Sequence, residues 1–497
     1  MVRFTSFAAL MTGWALALTL HSKKSIDSIL LAADNDDAHT EALTAVPVDQ
    51  WFETQKLDHF DKRNVKVWRQ RYHVNDAWVN QSTSPAPVFL YIHGENTADP
   101  ATTTSATYLM NELAQKHGAL VVALEHRFFG PSQPTGDLSV KSLKYLTTRQ
   151  ALADLVAFQD HVVKTRNLTA ANKWIAFGGS YPGQLAGFLK AKYPKRFAGA
   201  IASSAPIGTV VDYSGYADVV AFALHMYGGD ACTKTIAEGV QAVHALLASS
   251  RPEAMATLNQ SFHFCTPIVD DRDRMIVEAY LFAYFQGIVQ YNNMGGAETV
   301  ASTCAFFANS TNGATPLEKL AQFARNHWDE RKCTPSNYEK EAIQNLLNTV
   351  PSDNIYRQWN YLLCNELGAT LTTDTAKSFW NAFQYNSVGY NLIDVCRRVF
   401  NITNVYDRIQ RTVDTYGGLD IDSENTVWSN GNIDPWSGMG FSNETTPIND
   451  WSESVFINGT AHCADMYSTK FGMVPQWALD RIEKNVQIYL AGRDCDN

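Results

Sequence analysis

Between Val88 and Ala202 the chain alternates wholly apolar runs with amphipathic ones, and this alternation constrains the fold more than any other feature. Val88-Phe-Leu-Tyr-Ile92, Ala119-Leu-Val-Val-Ala-Leu124, Trp174-Ile-Ala-Phe177 and Ala198-Gly-Ala-Ile-Ala202 have no polar face. Short runs of this kind read as strands buried on both sides. Between them, Thr107 to Lys116, Arg149 to Thr165 and Tyr181 to Tyr193 have helical character. In the second, Leu152, Leu155, Val156 and Phe158 form one side. Strands alternating with helices predict an α/β fold, a parallel sheet with helices on both faces. After about Val211 the texture becomes helical, as in Thr235 to Leu247, Pro316 to Trp328 and Asn337 to Leu347, and six of the eight cysteines sit there. The sheet pattern returns at Thr426-Val-Trp428 and Ser454-Val-Phe-Ile457. An amphipathic helix, Pro475 to Ala491, closes the chain. The expected organisation is therefore a leader at 1–20, a linker or propeptide at 21–47, a sheet domain in two parts at 48–212 and 416–497, and a helical insert at 213–415.

Arg3 precedes an uncharged apolar run from Phe7 to Leu20, followed by polar sequence. That run is too short for a bilayer span, which takes roughly 20 residues. With the small-x-small step Ala15-Leu16-Ala17 it reads as a secretory signal peptide, the alternative being a buried N-terminal helix. No later stretch could span a membrane, so the expected location is secreted or the lumen of a lysosome or vacuole. The eight cysteines are an even number without a CxxC pair. This favours disulfides over a zinc or redox motif, and no metal or cofactor is expected. Glycosylation sequons stand at Asn80, Asn167, Asn259, Asn309, Asn401, Asn443 and Asn458. The formal charge is −10 with no basic block, a poor match to nucleic acid. Charging all 13 histidines would carry it to +3 before any carboxylate protonates.

The chemistry concentrates at Trp174-Ile-Ala-Phe-Gly-Gly-Ser-Tyr-Pro-Gly183. A strand runs into two glycines, then Ser180, then a helix. A serine on that tight turn has its Oγ thrust out at the carboxyl edge of the sheet. The second residue after it is Pro182 rather than glycine, which the first turn of a helix tolerates. The bland alternative is a glycine-rich turn with a capping serine. A serine nucleophile needs a base, and the base an orienting carboxylate. In the Ser, Asp, His chain order, Asp434 follows a strand-like run in Trp428-Ser-Asn-Gly-Asn-Ile-Asp434-Pro-Trp-Ser-Gly438. His462, the last histidine, follows another in Asn458-Gly-Thr-Ala-His462-Cys-Ala-Asp465. Singly, Asp434 could be an Asx turn before Pro435 and His462 a structural imidazole. The ordered set favours a triad.

The chain resembles the serine peptidase family of lysosomal prolyl carboxypeptidase, lysosomal dipeptidyl peptidase and thymus-specific serine protease. The resemblance runs from about Trp51 to the C-terminus. It rests on Trp51-Phe-Glu-Thr-Gln-Lys-Leu-Asp-His-Phe60, Glu125-His-Arg-Phe-Phe-Gly130, Leu146 with Gln150-Ala-Leu-Ala-Asp154, Gly178-Gly-Ser-Tyr181, Ala202-Ser-Ser-Ala-Pro206, Asn430 to Gly438, and Ala461-His462. It implies an α/β-hydrolase domain with an inserted, disulfide-tied helical cap. It also implies Ser180, Asp434 and His462 as nucleophile, acid and base, and cleavage after proline. The bridges Cys232–Cys304, Cys265–Cys333 and Cys364–Cys396 are likewise implied. The chain departs from the pattern at His93-Gly94-Glu95, where the family tends to have two glycines before the glutamate. At His462-Cys463, prolyl carboxypeptidase-like members have paired histidines.

The expected activity is a serine-type exopeptidase of prolyl carboxypeptidase or dipeptidyl peptidase type, acting on peptides. The backbone N–H of Tyr181 and one from the Gly94-Glu95 turn would meet the oxyanion. Proline lacks an N–H, so its recognition needs an apolar pocket, with Trp436 as a candidate wall and plain core as the alternative. A lipase or esterase on the same fold and a non-catalytic hydrolase-like binding module are the competing readings. The oligomeric state is open, a homodimer among the options.

Overall fold

The computed structural model describes residues 46–80, 85–296, 298–329 and 331–492. The expected leader, nearly all of the linker, and Cys495 lie outside the described residues. The strands are β1 Gln50–Lys56, β2 Val67–Asn75, β3 Val88–Ile92, β4 Leu120–Leu124, β5 Trp174–Gly179, β6 Gly199–Ser203, β7 Val210–Asp212, β8 Gly368–Thr370, β9 Thr426–Gly431 and β10 Glu453–Ile457. Eight of them form one sheet in the order β1-β2-β4-β3-β5-β6-β9-β10. From β4 to β10 every pairing is parallel, and β1 and β2 extend one edge antiparallel. The principal helices are α1 Leu109–His117, α2 Thr148–Thr165, α3 Tyr181–Lys192, α4 Gly215–Leu247, α5 Pro252–Phe262, α6 Asp271–Gln290, α7 Val300–Ala308, α8 Pro316–Asn326, α9 Asp394–Phe400, α10 Val405–Tyr416 and α11 Gln476–Ala491.

The apolar strands have no polar face because both faces are covered. Successive residues of a strand point to opposite sides. In β3, Phe89 and Tyr91 join one core with Leu109 and Leu113 of α1 and Leu479, Ile482 and Val486 of α11. Val88, Leu90 and Ile92 join the other, with Leu152, Leu155 and Phe158 of α2 and Leu185 and Phe188 of α3. The same alternation sorts Val121 and Ala123 from Leu120, Val122 and Leu124 in β4.

Between β7 and β9 the chain is mainly helical and holds the three disulfides found among the described residues, Cys232–Cys304, Cys265–Cys333 and Cys364–Cys396, as the resemblance implied. Cys463 is buried and makes no disulfide among the described residues. The helix expected from Thr235 is the second half of α4, which bends at Gly229 (φ 61°). The segment expected as a helix from Asn337 to Leu347 is a wide π-turn, Glu339–Ile343, followed by a 3₁₀ turn, Gln344–Leu346. There the buried Glu341 carboxylate accepts hydrogen bonds from Arg331 Nη1 at 2.8 Å and Tyr280 Oη at 3.1 Å. No helix among the described residues is long and apolar enough to cross a membrane.

Candidate active site

At the end of β5 the backbone turns into α3 through Ser180, at φ 61° and ψ −130°. A non-glycine residue held there costs about 1–3 kcal/mol, so the surroundings must enforce it. The Ser180 N–H donates to Ser203 O at 2.9 Å, and Gln184 N–H donates to Ser180 O at 3.0 Å. Tyr181 is the first residue of α3 and Pro182 the second, where its missing N–H leaves no bond unmade. Ser180 is half-buried and Tyr181 is buried. The turn after β3 lies directly against this elbow. A Cβ on Gly94 would fall 2.5 Å from Pro182 Cγ and 3.4 Å from Tyr181 Cδ1. Only glycine permits that approach, and Glu95 follows it, half-buried.

Asp434 and His462 come together from the loops after β9 and β10. His462 Nδ1 is 2.9 Å from each oxygen of the Asp434 carboxylate, and both side chains are essentially inaccessible to solvent. A carboxylate only accepts, so Nδ1 carries a proton, and the neutral form of His462, the form that can take up another, has its lone pair at Nε2. That nitrogen is buried and has no hydrogen-bond partner among the described residues. Asp434 Oδ1 also accepts the Trp436 backbone N–H at 2.9 Å. The Asx turn and the histidine contact are thus one arrangement, not alternatives. Burial disfavours a charged His462, while the Asp434 carboxylate and the adjacent Cys463 favour it, and together they raise the imidazole well above the ordinary histidine range. The adjacent Cys463 thiol is pushed up by burial, against the pull of His462.

The elbow and the histidine segment share anchors. A Cβ on Gly179 would fall 2.2 Å from Met466 Sδ and 3.0 Å from Cys463 Sγ. Cys463 N–H donates to Ser204 Oγ at 2.8 Å, and Ser203 Oγ donates to Asp465 Oδ1 at 2.5 Å. Ser429 Oγ donates to the other Asp465 oxygen. Burial raises the Asp465 pKa, and the two serine hydrogen bonds oppose it.

Trp436 is half-buried beside the pair, its ring centroid 6.5 Å from that of His462. It stacks on Tyr213 at 6.0 Å and meets Tyr216 edge-on at 5.3 Å. Tyr213 Oη donates to Pro435 O at 2.9 Å. Sequence reasoning gave no role to Tyr213, Tyr216, Asp465, His126 or Gln290. His126 and Asp465 stood inside quoted motifs. The two tyrosines and the glutamine had no distinguishing pattern.

A serine on a strand-to-helix elbow, with an acid and a histidine on loops after later strands of a parallel sheet, defines the α/β-hydrolase class. Within that class, the serine carboxypeptidase S28 family matches residues 55–481, and the chain belongs to it. It is similar to the thymus-specific serine protease of Mus musculus, 31% identical over 458 residues, covering 89% of this chain and 87% of that one. It is also similar to the lysosomal Pro-X carboxypeptidase of Homo sapiens, 28% identical over 442 residues, covering 86% and 84%.

Proposed function

We propose that the protein is a serine-type exopeptidase that cleaves peptide bonds after proline through an acyl-enzyme on Ser180. The observation that carries this reading is the buried His462 with Nδ1 bound to Asp434 and an unpartnered Nε2, in a segment packed against the serine elbow. His462 takes the Ser180 proton as Oγ attacks the scissile carbonyl, and returns it to the leaving amine. Asp434 fixes the tautomer and stabilises the imidazolium. The Tyr181 and Glu95 N–H groups receive the oxyanion, each worth about 3 kcal/mol of barrier. Water then releases the acyl group by the same steps in reverse.

The indole of Trp436, backed by Tyr213 and Tyr216, offers a flat apolar wall suited to a pyrrolidine ring, which brings no N–H to be recognised. The helical block at 213–415 acts as a cap, in contact with the histidine segment through Gln290 O, which accepts the His462 N–H at 3.0 Å. The protein works in a secretory or lysosomal lumen as a glycoprotein. Three disulfides and the exposure of all seven sequon asparagines support this location.

The test joins a fluorophosphonate probe to mass spectrometry of a proline-containing peptide set. Labelling should disappear in Ser180→Ala, and hydrolysis should fall by at least about 10⁴-fold. Products should be a released C-terminal residue or an N-terminal dipeptide, with proline on the acyl side. Turnover of esters alone, or internal cuts without proline preference, would refute it.

A further inference from the structure

We infer that Gln290, the last residue of α6, is the positioning residue that sets the proline-binding wall. The inference rests on the peptidase reading above and deepens it. Gln290 is 3% exposed, and its side-chain Oε1 accepts two hydrogen bonds, from Trp436 Nε1 at 2.9 Å and from Tyr216 Oη at 2.8 Å. An indole N–H can only donate, so the amide atom facing it is the oxygen, and two donors fill its lone pairs. One acceptor on the helical block thereby pins the one polar atom of the Trp436 ring. Tyr213 stacks on one face of the ring and Tyr216 meets it edge-on.

The same residue holds the catalytic base through its main chain. Its carbonyl is among those a helix end leaves without an intrahelical donor, and it accepts the His462 N–H. A side-chain substitution therefore releases the wall but spares the contact to the base. This separation makes the role testable against a merely structural one.

Gln290→Leu orphans the indole N–H and the Tyr216 hydroxyl, which lets the wall turn or drop out of register. KM for substrates with proline before the scissile bond should rise about tenfold. The preference for proline over alanine at that position should fall equally, with kcat moved far less. Gln290→Glu keeps an acceptor of the same length and should recover most of the preference. An unchanged proline preference in a folded Gln290→Leu enzyme, or a Glu variant as impaired as the Leu variant, overturns the inference. A double-mutant cycle of Gln290→Leu with Trp436→Phe in denaturant unfolding reads the tie without catalysis, and Trp436→Phe alone approaches it from the other side. Coupled losses support the tie. Additive losses sink it, even in an enzyme that shows no proline preference and so refutes the peptidase specificity instead.

Discussion

His126, at the end of β4, has both ring nitrogens committed. Nδ1 lies 2.8 Å from the Arg127 carbonyl, which can only accept, so this nitrogen carries the proton. Nε2 lies 3.2 Å from Tyr181 Oη and takes that hydroxyl's hydrogen bond. The neutral ring satisfies both partners, and a second proton would turn an acceptor into a donor facing the tyrosine. Burial drives the pKa down to about 4, against the weaker pull of the Arg127 carbonyl and the Asp154 carboxylate. In the unfolded chain the value is about 6.5. As pH falls, the unfolded state therefore binds this proton first. The contribution of His126 to stability is whole above about pH 7 and is lost between about pH 6.5 and 4, amounting to about 2 kcal/mol at pH 5. Glutamine can donate to Arg127 and accept from Tyr181 but does not titrate in this range. His126→Gln should thus weaken at pH 7 through lost ring packing, yet lose about 2 kcal/mol less than the wild type between pH 7 and pH 5. Denaturant unfolding at a series of pH values, followed by tryptophan fluorescence, measures both slopes. Parallel curves for the two proteins would show that His126 titrates normally and that the hydrogen-bond assignment at Tyr181 is wrong.

Two further substitutions probe the scaffold. Gly179→Ala places a methyl against Met466 and Cys463, so it should shift the histidine segment by a fraction of an ångström. Fluorophosphonate labelling of Ser180 should slow about 100-fold while unfolding stays cooperative, and a normal labelling rate would count against the contact. Replacing Cys232 and Cys304 together opens a crosslink of sequence separation 72 and should cost about 4 kcal/mol, read as a lower denaturant midpoint. An unchanged midpoint would mean that the helical block holds its shape without that bridge.

How legible each element was depends on what its residues bury. β3, β4, β5 and β6 were readable because apolar side chains fill both faces. β1 and β2 gave no such pattern because several of their buried residues are polar. Gln55 Nε2 donates to Gln70 Oε1 at 2.8 Å, Gln70 Nε2 donates to Glu125 O at 2.7 Å, and Arg71 pairs with the Glu125 carboxylate at 2.6 Å. Such groups are buried only when paired, and pairing partners distant in sequence leave no local trace. The candidate triad could be read because nucleophile, acid and base each follow a strand in a fixed chain order. Gln290 could not be read, because its importance comes from where a helix ends in space. The bend at Gly229 was equally invisible, as one glycine does not announce which torsion it will adopt.

Strand order supplies what chain order cannot. The strand before Ser180, β5, and the strand before Asp434, β9, are not neighbours, since β6 lies between them. Strands sit about 4.8 Å apart, so nucleophile and acid start about 10 Å apart along the sheet edge, too far for direct contact. His462, the proposed base, follows β10 on the far side of β9 and would have to fold back over Asp434 to reach Ser180. The bonds that hold the segment after His462 end on the intervening strand and its extension. Ser204 takes the Cys463 N–H, Ser203 binds Asp465, and the Ser203 carbonyl takes the Ser180 N–H. Ser429 at β9 completes the clamp on Asp465. The Ser203-Ser204 pair is therefore the physical bridge between the two limbs of the site. This accounts for the Ala202-Ser-Ser-Ala-Pro206 motif, which contributes no group to the proposed chemistry yet fixes the distance over which a proton would move.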